Sequence, residues 1–166
     1  MQKPNEKESL IANNPKAYHD FFIEETLEAG LALAGTEVKS LRDKKANLQD
    51  SFARFDTSRR NRQATTAPPA LFLYNAYIAP YTHGNIFNHE PRRKRRLLVK
   101  KHELWKLFGK LQLKGLTLIP VRLYFNERGF AKVALAVARG KKLYDKRAAL
   151  AKKSANREIE RVMKPR

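Results

Sequence analysis

From Phe21 onward the chain alternates. Ile23, Leu27, Ala29, Leu31 and Leu33 fall on one parity and Glu24, Thr26 and Glu28 on the other, with Glu25 as the exception. A period of two predicts a long strand with one buried face. Gly35-Thr36 then opens a short helix carrying Val38 and Leu41 on one side, with Lys39, Arg42 and Lys45 elsewhere. A second strand is predicted over 51–55. A third covers LFLYNAYIA (71–79), apolar on both faces and ended by Pro80. A second helix is predicted from about Lys101 to Lys114, with Leu104, Leu107, Phe108 and Leu111 as its buried stripe. Trp105 stands at the stripe's edge as core packing, and Gly115 sits where a C-terminal cap belongs. Two last strands, 117–125 and 130–138, are joined by the hairpin turn Asn126-Glu127-Arg128-Gly129.

Five strands and two helices without internal repeat fit a mainly β protein with flanking helices. The expected architecture is an OB-fold-like barrel of five or six strands, a fold that binds single-stranded nucleic acid on one face. Three regions follow. Residues 1–17 are polar, broken by Pro4 and Pro15, and are expected to form a flexible arm. Residues 18–138 form the barrel, with 56–70 as a long polar, basic loop. Residues 139–166 form a basic tail. The tail's stripe, Tyr144, Ala148, Ala151, Ala155, Ile159 and Val162, writes a helix but is mostly alanine. That stripe buries too little to hold a helix alone, so the tail is expected to be disordered in isolation and helical on a polyanion.

Charge turns this outline toward a partner. The 166 residues carry a formal net charge of +19 and a pI near 10.4. HEPRRKRRLLVKK (89–101) concentrates Arg92, Arg93, Lys94, Arg95, Arg96, Lys100 and Lys101 around Leu97-Leu98-Val99, and RGKKLYDKR (139–147) sets Tyr144 among cations. Cations with an interleaved aromatic suit phosphates and exposed bases. The chain has no cysteine, which fits a reducing compartment, and its four histidines lack helical metal-site spacing. No apolar run reaches the length of a membrane span, and the N-terminus lacks the apolar core of a signal peptide. A soluble intracellular protein without metal or cofactor is expected.

Three separated blocks carry a resemblance. FFIEETLEAGLALAGTEVKSLRDKKANLQDS (21–51), NHEPRRKRRLLVKKHELWKL (88–107, fitting H-[DE]-P-x-R-x-R-K-L-L) and GLTLIPVRLYFNERGFAKVALAVARGKKLYDKR (115–147) resemble, in order, the tmRNA-binding protein family of bacterial trans-translation. Two departures are conservative: Arg96 stands where the family usually has Lys, and Val99 where a third Leu is common. The loop 56–70 is longer and more arginine-rich than the family's hairpin. The resemblance implies an OB-fold barrel that clasps the tRNA-like domain of tmRNA. It also implies a tail that enters the stalled 70S ribosome and stands in for codon–anticodon pairing. Elongation factor Tu, reached through aminoacylated tmRNA, is a further implied partner. A monomer in the bacterial cytoplasm, without catalysis, is expected.

Residue by residue, Glu28 either pairs with a neighbouring cation or accepts hydrogen bonds from base N–H or 2′-OH groups. The family's E-A-G motif at the RNA contact favours the second. Lys39 and Arg42 are expected to meet phosphate or water, and His19 to stack on a base or sit idle on the surface. Arg93, Arg95, Arg96 and Lys100 are candidate RNA contacts, with Leu97 as core and Leu98 a borderline candidate, either core or an apolar surface for a base. Gly140, Lys141, Lys142, Tyr144, Asp145, Lys146 and Arg147 form the candidate ribosomal segment. There Tyr144 stacks and Asp145 positions its neighbours or caps the following helix. The competing reading is a ribosomal or general single-stranded RNA-binding protein on the same barrel. An enzyme built on Glu24, Glu25 or Glu28 with His19 and Asp20 has no nucleophile motif or phosphate loop to support it.

Overall fold

The computed structural model describes residues 9–56, 70–112, 115–142 and Asp145. Its strands are β1 (Ser9–Asn13), β2 (Phe21–Leu31), β3 (Ala46–Asn47), β4 (Phe52–Asp56), β5 (Ala70–Tyr74), β6 (Tyr77–Ile78), β7 (Arg95–Leu98), β8 (Leu116–Phe125) and β9 (Ala131–Gly140). Its helices are α1 (Pro15–Asp20), α2 (Gly35–Arg42) and α3 (Lys101–Leu111), with a 3-10 turn at Asn85–Phe87. Six strands run β8-β4-β5-β7-β2-β9 and close on themselves, because β9 pairs again with β8. The expected mainly β barrel with flanking helices is therefore what the chain forms. β8 carries β9 along one edge, while its other edge is shared between β4 at Leu118 and β1 at Arg122–Phe125. β3 and β6 form a separate two-stranded ladder.

The interior is aliphatic: Leu71, Leu73, Leu118, Leu123, Val133 and Leu135 are each at most 1% exposed. Burying such side chains contributes about 1.5–3 kcal/mol apiece. Leu107, with Leu104, Phe108 and Leu111 half-buried beside it, packs α3 onto this core. A second, smaller cluster of Ala17, Ile119, Val121, Ala136 and Ala138 seats α1 against the sheet. A bulge between Ile23 and Glu25 divides β2 between the two clusters. Ile23 joins the outer cluster and Leu27, Ala29 and Leu31 face the barrel interior. Glu25 instead meets Lys106 and Lys110 of α3. The Lys110 hydrogen bond above all, helped by Lys106, holds the Glu25 carboxyl below its ordinary range despite some burial.

Several sequence expectations need correction. The arm expected over 1–17 is ordered from Ser9. β1 pairs with β8, and the Asn14 side chain bonds the Leu48 and Pro120 carbonyls, so Pro15 starts a helix instead of breaking structure. LFLYNAYIA is two strands, because Asn75 adopts a left-handed φ of 59° and turns the chain between β5 and β6. The basic run contains an unforeseen barrel strand, β7. The barrel extends two residues past 138, since Arg139 and Gly140 still pair with Phe22 and Phe21. Trp105 is 43% exposed and touches the edge of Phe108, so it is surface. The 126–129 turn holds as expected: Gly129, at φ 75°, donates to the Asn126 carbonyl, whose side chain accepts the Phe130 N–H. The loop 57–69 and the tail helix lie outside the described residues.

Candidate nucleic-acid interface

The basic run 92–96 divides by strand parity, and the division decides which cations can meet a ligand. Arg95 faces inward at 1% exposure. Its Nε donates to Glu37 Oε1 at 2.9 Å, Nη1 to the Ala76 and Arg93 carbonyls at 2.6 and 3.1 Å, and Nη2 to Pro91 O at 2.8 Å. Arg93 grips the same carboxylate in a fork, Nε to Oε1 at 2.9 Å and Nη2 to Oε2 at 2.5 Å. Glu37 also caps the start of α2, accepting the Ala34 N–H at 2.8 Å. Burial opposes ionisation of Glu37, but the Arg93 fork, the Ala34 N–H and the Arg95 charge outweigh it and hold the carboxyl low. Burial pulls the Arg95 guanidinium down from its ordinary value while Glu37 supports its charge. Arg95 is thus no RNA contact, and Arg93 is committed to Glu37: the two fasten the basic segment to α2.

Arg96 and Leu98, on the opposite parity, face outward. Leu98 is 54% exposed while Leu97 is core, as the sequence suggested. β7 pairs with β2, setting Leu98 opposite Gly30, where a Cβ would come within 3.3 Å of the Leu98 Cβ. Glycine keeps that crossing close. Lys100 is exposed at the start of α3, its N–H donating to Glu103. Lys39 and Arg42 are exposed on α2, with Lys39 Nζ 5.3 Å from the Tyr81 ring centre.

Glu28 stands outward on β2, opposite Ala134 of β9. Its carboxylate accepts hydrogen bonds from Lys132 Nζ at 2.6 Å and from the Tyr124 hydroxyl. Partial burial disfavours its charge, but these two donors prevail and keep the carboxyl below the usual range. The cation pairing considered from sequence is real, yet the Glu28 side chain remains 49% exposed. Two fixed donors orient a carboxylate whose remaining lone pairs face solvent.

At the barrel's other end, Lys141 joins the tail to α1. Its N–H donates to Asp20 O at 2.9 Å, and its Nζ donates to Tyr18 O at 3.0 Å while lying 5.0 Å from the Phe22 ring centre. His19 is half-exposed, with Nδ1 2.9 Å from Asp20 Oδ1. Gly140 closes β9, so Gly140 and Lys141 belong to the barrel rather than to a free tail. Lys142 is exposed and donates its N–H to Asp145 Oδ2 at 3.1 Å. Tyr144, Lys146 and Arg147 lie outside the described residues. Glu37, the centre of the buried network, was missed from sequence. A glutamate three residues after the helix cap Ala34 was the available signal.

Among the described residues no group of His, Asp or Glu could hold a metal, and no helix is long and apolar enough to cross a membrane. A family model described as SmpB protein matches residues 11–165. The SsrA-binding protein of Geobacter sulfurreducens is 54% identical over 157 residues, covering 95% of both chains. That of Moorella thermoacetica is 52% identical over 157 residues, covering 95% of this chain and 94% of the other. A solved structure described as "tmRNA-SmpB: a journey to the center of the bacterial ribosome" superposes with a TM-score of 0.61 at 54% identity, covering 79% of this chain and 84% of that one.

Proposed function

The chain belongs to the SmpB family, and from that premise we propose that it binds tmRNA and acts in trans-translation as an RNA-binding adaptor. It takes the tRNA-like domain of tmRNA to stalled 70S ribosomes, where its tail stands in for codon–anticodon pairing. Elongation factor Tu joins through aminoacylated tmRNA, the protein works as a monomer in the bacterial cytoplasm, and no catalysis is involved. The observation that carries this reading is the outward set on β2 and β7. Glu28, held by Lys132 and Tyr124, offers acceptors to base N–H or 2′-OH groups beside exposed Arg96 and Leu98. Arg96, Lys100, Lys39 and Arg42 supply phosphate contacts, Leu98 an apolar rest for a base, and His19 a stacking ring.

In the tail, Lys142, Lys146 and Arg147 meet ribosomal RNA phosphates and Tyr144 stacks. Asp145 holds the Lys142 backbone, as a residue in a first helical turn holds the residue three before it. Two experiments test the reading. RNA co-purified in high salt should be enriched in tmRNA over ribosomal RNA, and equal recovery would favour a general RNA binder. Replacing Asp145, Lys146 and Arg147 together by alanine should leave tmRNA binding and ribosome recruitment near normal while abolishing tagging of the stalled peptide. Normal tagging, or loss of binding to free tmRNA, would break the division of labour between barrel and tail.

A further inference from the structure

The outer face of β4, β5 and β7 carries a row of which the proposed contacts use only Arg96. Arg54 stands opposite Phe72, and Phe72 opposite Arg96, so one line across three strands reads cation, ring, cation. Their neighbours along the strands, Ala53, Phe55, Leu71, Leu73, Arg95 and Leu97, are buried, which fixes the row on the outside. Lys94 adds a third cation, its Nζ 5.2 Å from the Phe72 ring centre. The next pair along, Phe52 and Tyr74, stacks with ring centres 5.4 Å apart and planes 12° apart, and Phe52 is 41% exposed. Asp56, 3.4 Å from Lys94, is a carboxylate on this face. Arg54 and Arg96 make no ion pair among the described residues.

Resting on the RNA-binding reading above, we propose that this face is a second RNA surface, one that takes unpaired bases and the backbone of a single-stranded segment. Flat rings on a strand surface give bases a stacking plane, and the flanking cations match phosphates in charge. A duplex keeps its bases inside and gains only the charge. The face is continuous with the Glu28 surface, because Arg96 and Leu98 project from the same side of β7. One RNA can therefore run from the fixed carboxylate onto the rings.

The test uses the full-length chain, a fluorescein-labelled 12-nucleotide single-stranded RNA of mixed sequence, and a hairpin of the same length. Wild-type protein should prefer the single strand at 0.15 M salt. Phe72→Leu, which keeps apolar bulk without a ring, should weaken single-strand binding about 5- to 20-fold and leave the hairpin nearly unchanged. Arg54→Gln/Lys94→Gln should lower the single-strand salt slope by about 1.4, close to ~0.7 for each lost phosphate contact. These two side chains are exposed, so the double variant carries the test if Phe72→Leu unfolds. Wild-type binding by both variants would overturn the proposal. So would equal binding of strand, hairpin and phosphatidylserine vesicles, which would reduce the face to unspecific charge. Selectivity for the tRNA-like domain of tmRNA over the hairpin is read in parallel. Its absence in wild type sinks the adaptor reading alone, and its persistence beside unaffected variants sinks only this surface.

Discussion

Glu37 and Glu28 are both carboxylates held by two side-chain donors, yet one is 5% exposed and the other 49%. At Glu37 every acceptor faces protein: two guanidinium groups and a backbone N–H meet it, and nothing remains for a ligand. At Glu28 the donors come from one side, and solvent holds the other. The same contrast splits the basic run, with Arg93 and Arg95 belonging to the first arrangement and Arg96 to the second. A charge becomes available for recognition according to where strand parity points it, and the buried partners aim the exposed ones. The cluster around Glu37 therefore positions the exposed side chains of the proposed interface.

Three alanine substitutions and a titration test that contrast. Glu37→Ala leaves Arg95 buried without its counter-ion, so folding stability in urea should fall by about 3–5 kcal/mol. A loss under 1 kcal/mol would mean water reaches the network. Glu28→Ala should reverse the pattern. Affinity for tmRNA drops by about 1–3 kcal/mol, while stability moves by no more than ~1 kcal/mol, as for a largely exposed pair. If stability alone changes, Glu28 is a surface brace. Both carboxyls lie below their ordinary value of 4.5 when folded. Their stabilisation is fully present above that pH and is lost as pH falls through the folded values. Acid unfolding monitored by circular dichroism should thus be flattened below about pH 4.5 by Glu37→Gln, more than by Glu28→Gln. The smallest effect on folding belongs to Leu98→Ala, within about 0.5 kcal/mol at so exposed a site, with RNA affinity the quantity that responds.

The alternation in β2, the α3 stripe and the last hairpin were legible because their periods survive in the structure. Even the misfit Glu25 had a local cause, the bulge that redirects it toward Lys106 and Lys110. β7 was hidden because a four-residue strand of sequence RRLL reads as charge, and its inward arginine is neutralised by a partner 58 residues away. No local pattern announces such a partner. β1 and α1 were hidden for the same reason: a polar segment with prolines becomes ordered only through the Asn14 side chain and the distant edge of β8. The outward position of Glu28 was legible in the alternation of β2. Arg95 was misplaced because family motif and charge alone do not reveal which way a side chain faces.

The closure of the ring also sets a timetable for synthesis. β2 meets β7 only at Gly30 and Leu31 and finds its long partner in β9, while β1 pairs with β8, so the first strands made wait for the last. Until the hairpin around Asn126–Gly129 has emerged, β2 has an open edge and the aliphatic interior has no lid. Contacts so far apart in sequence make for slow folding, and the nascent chain holds unpaired strands meanwhile. A protein whose family acts where translation fails should thus itself be vulnerable to a truncated message: any fragment ending before β9 lacks the strand that completes its barrel.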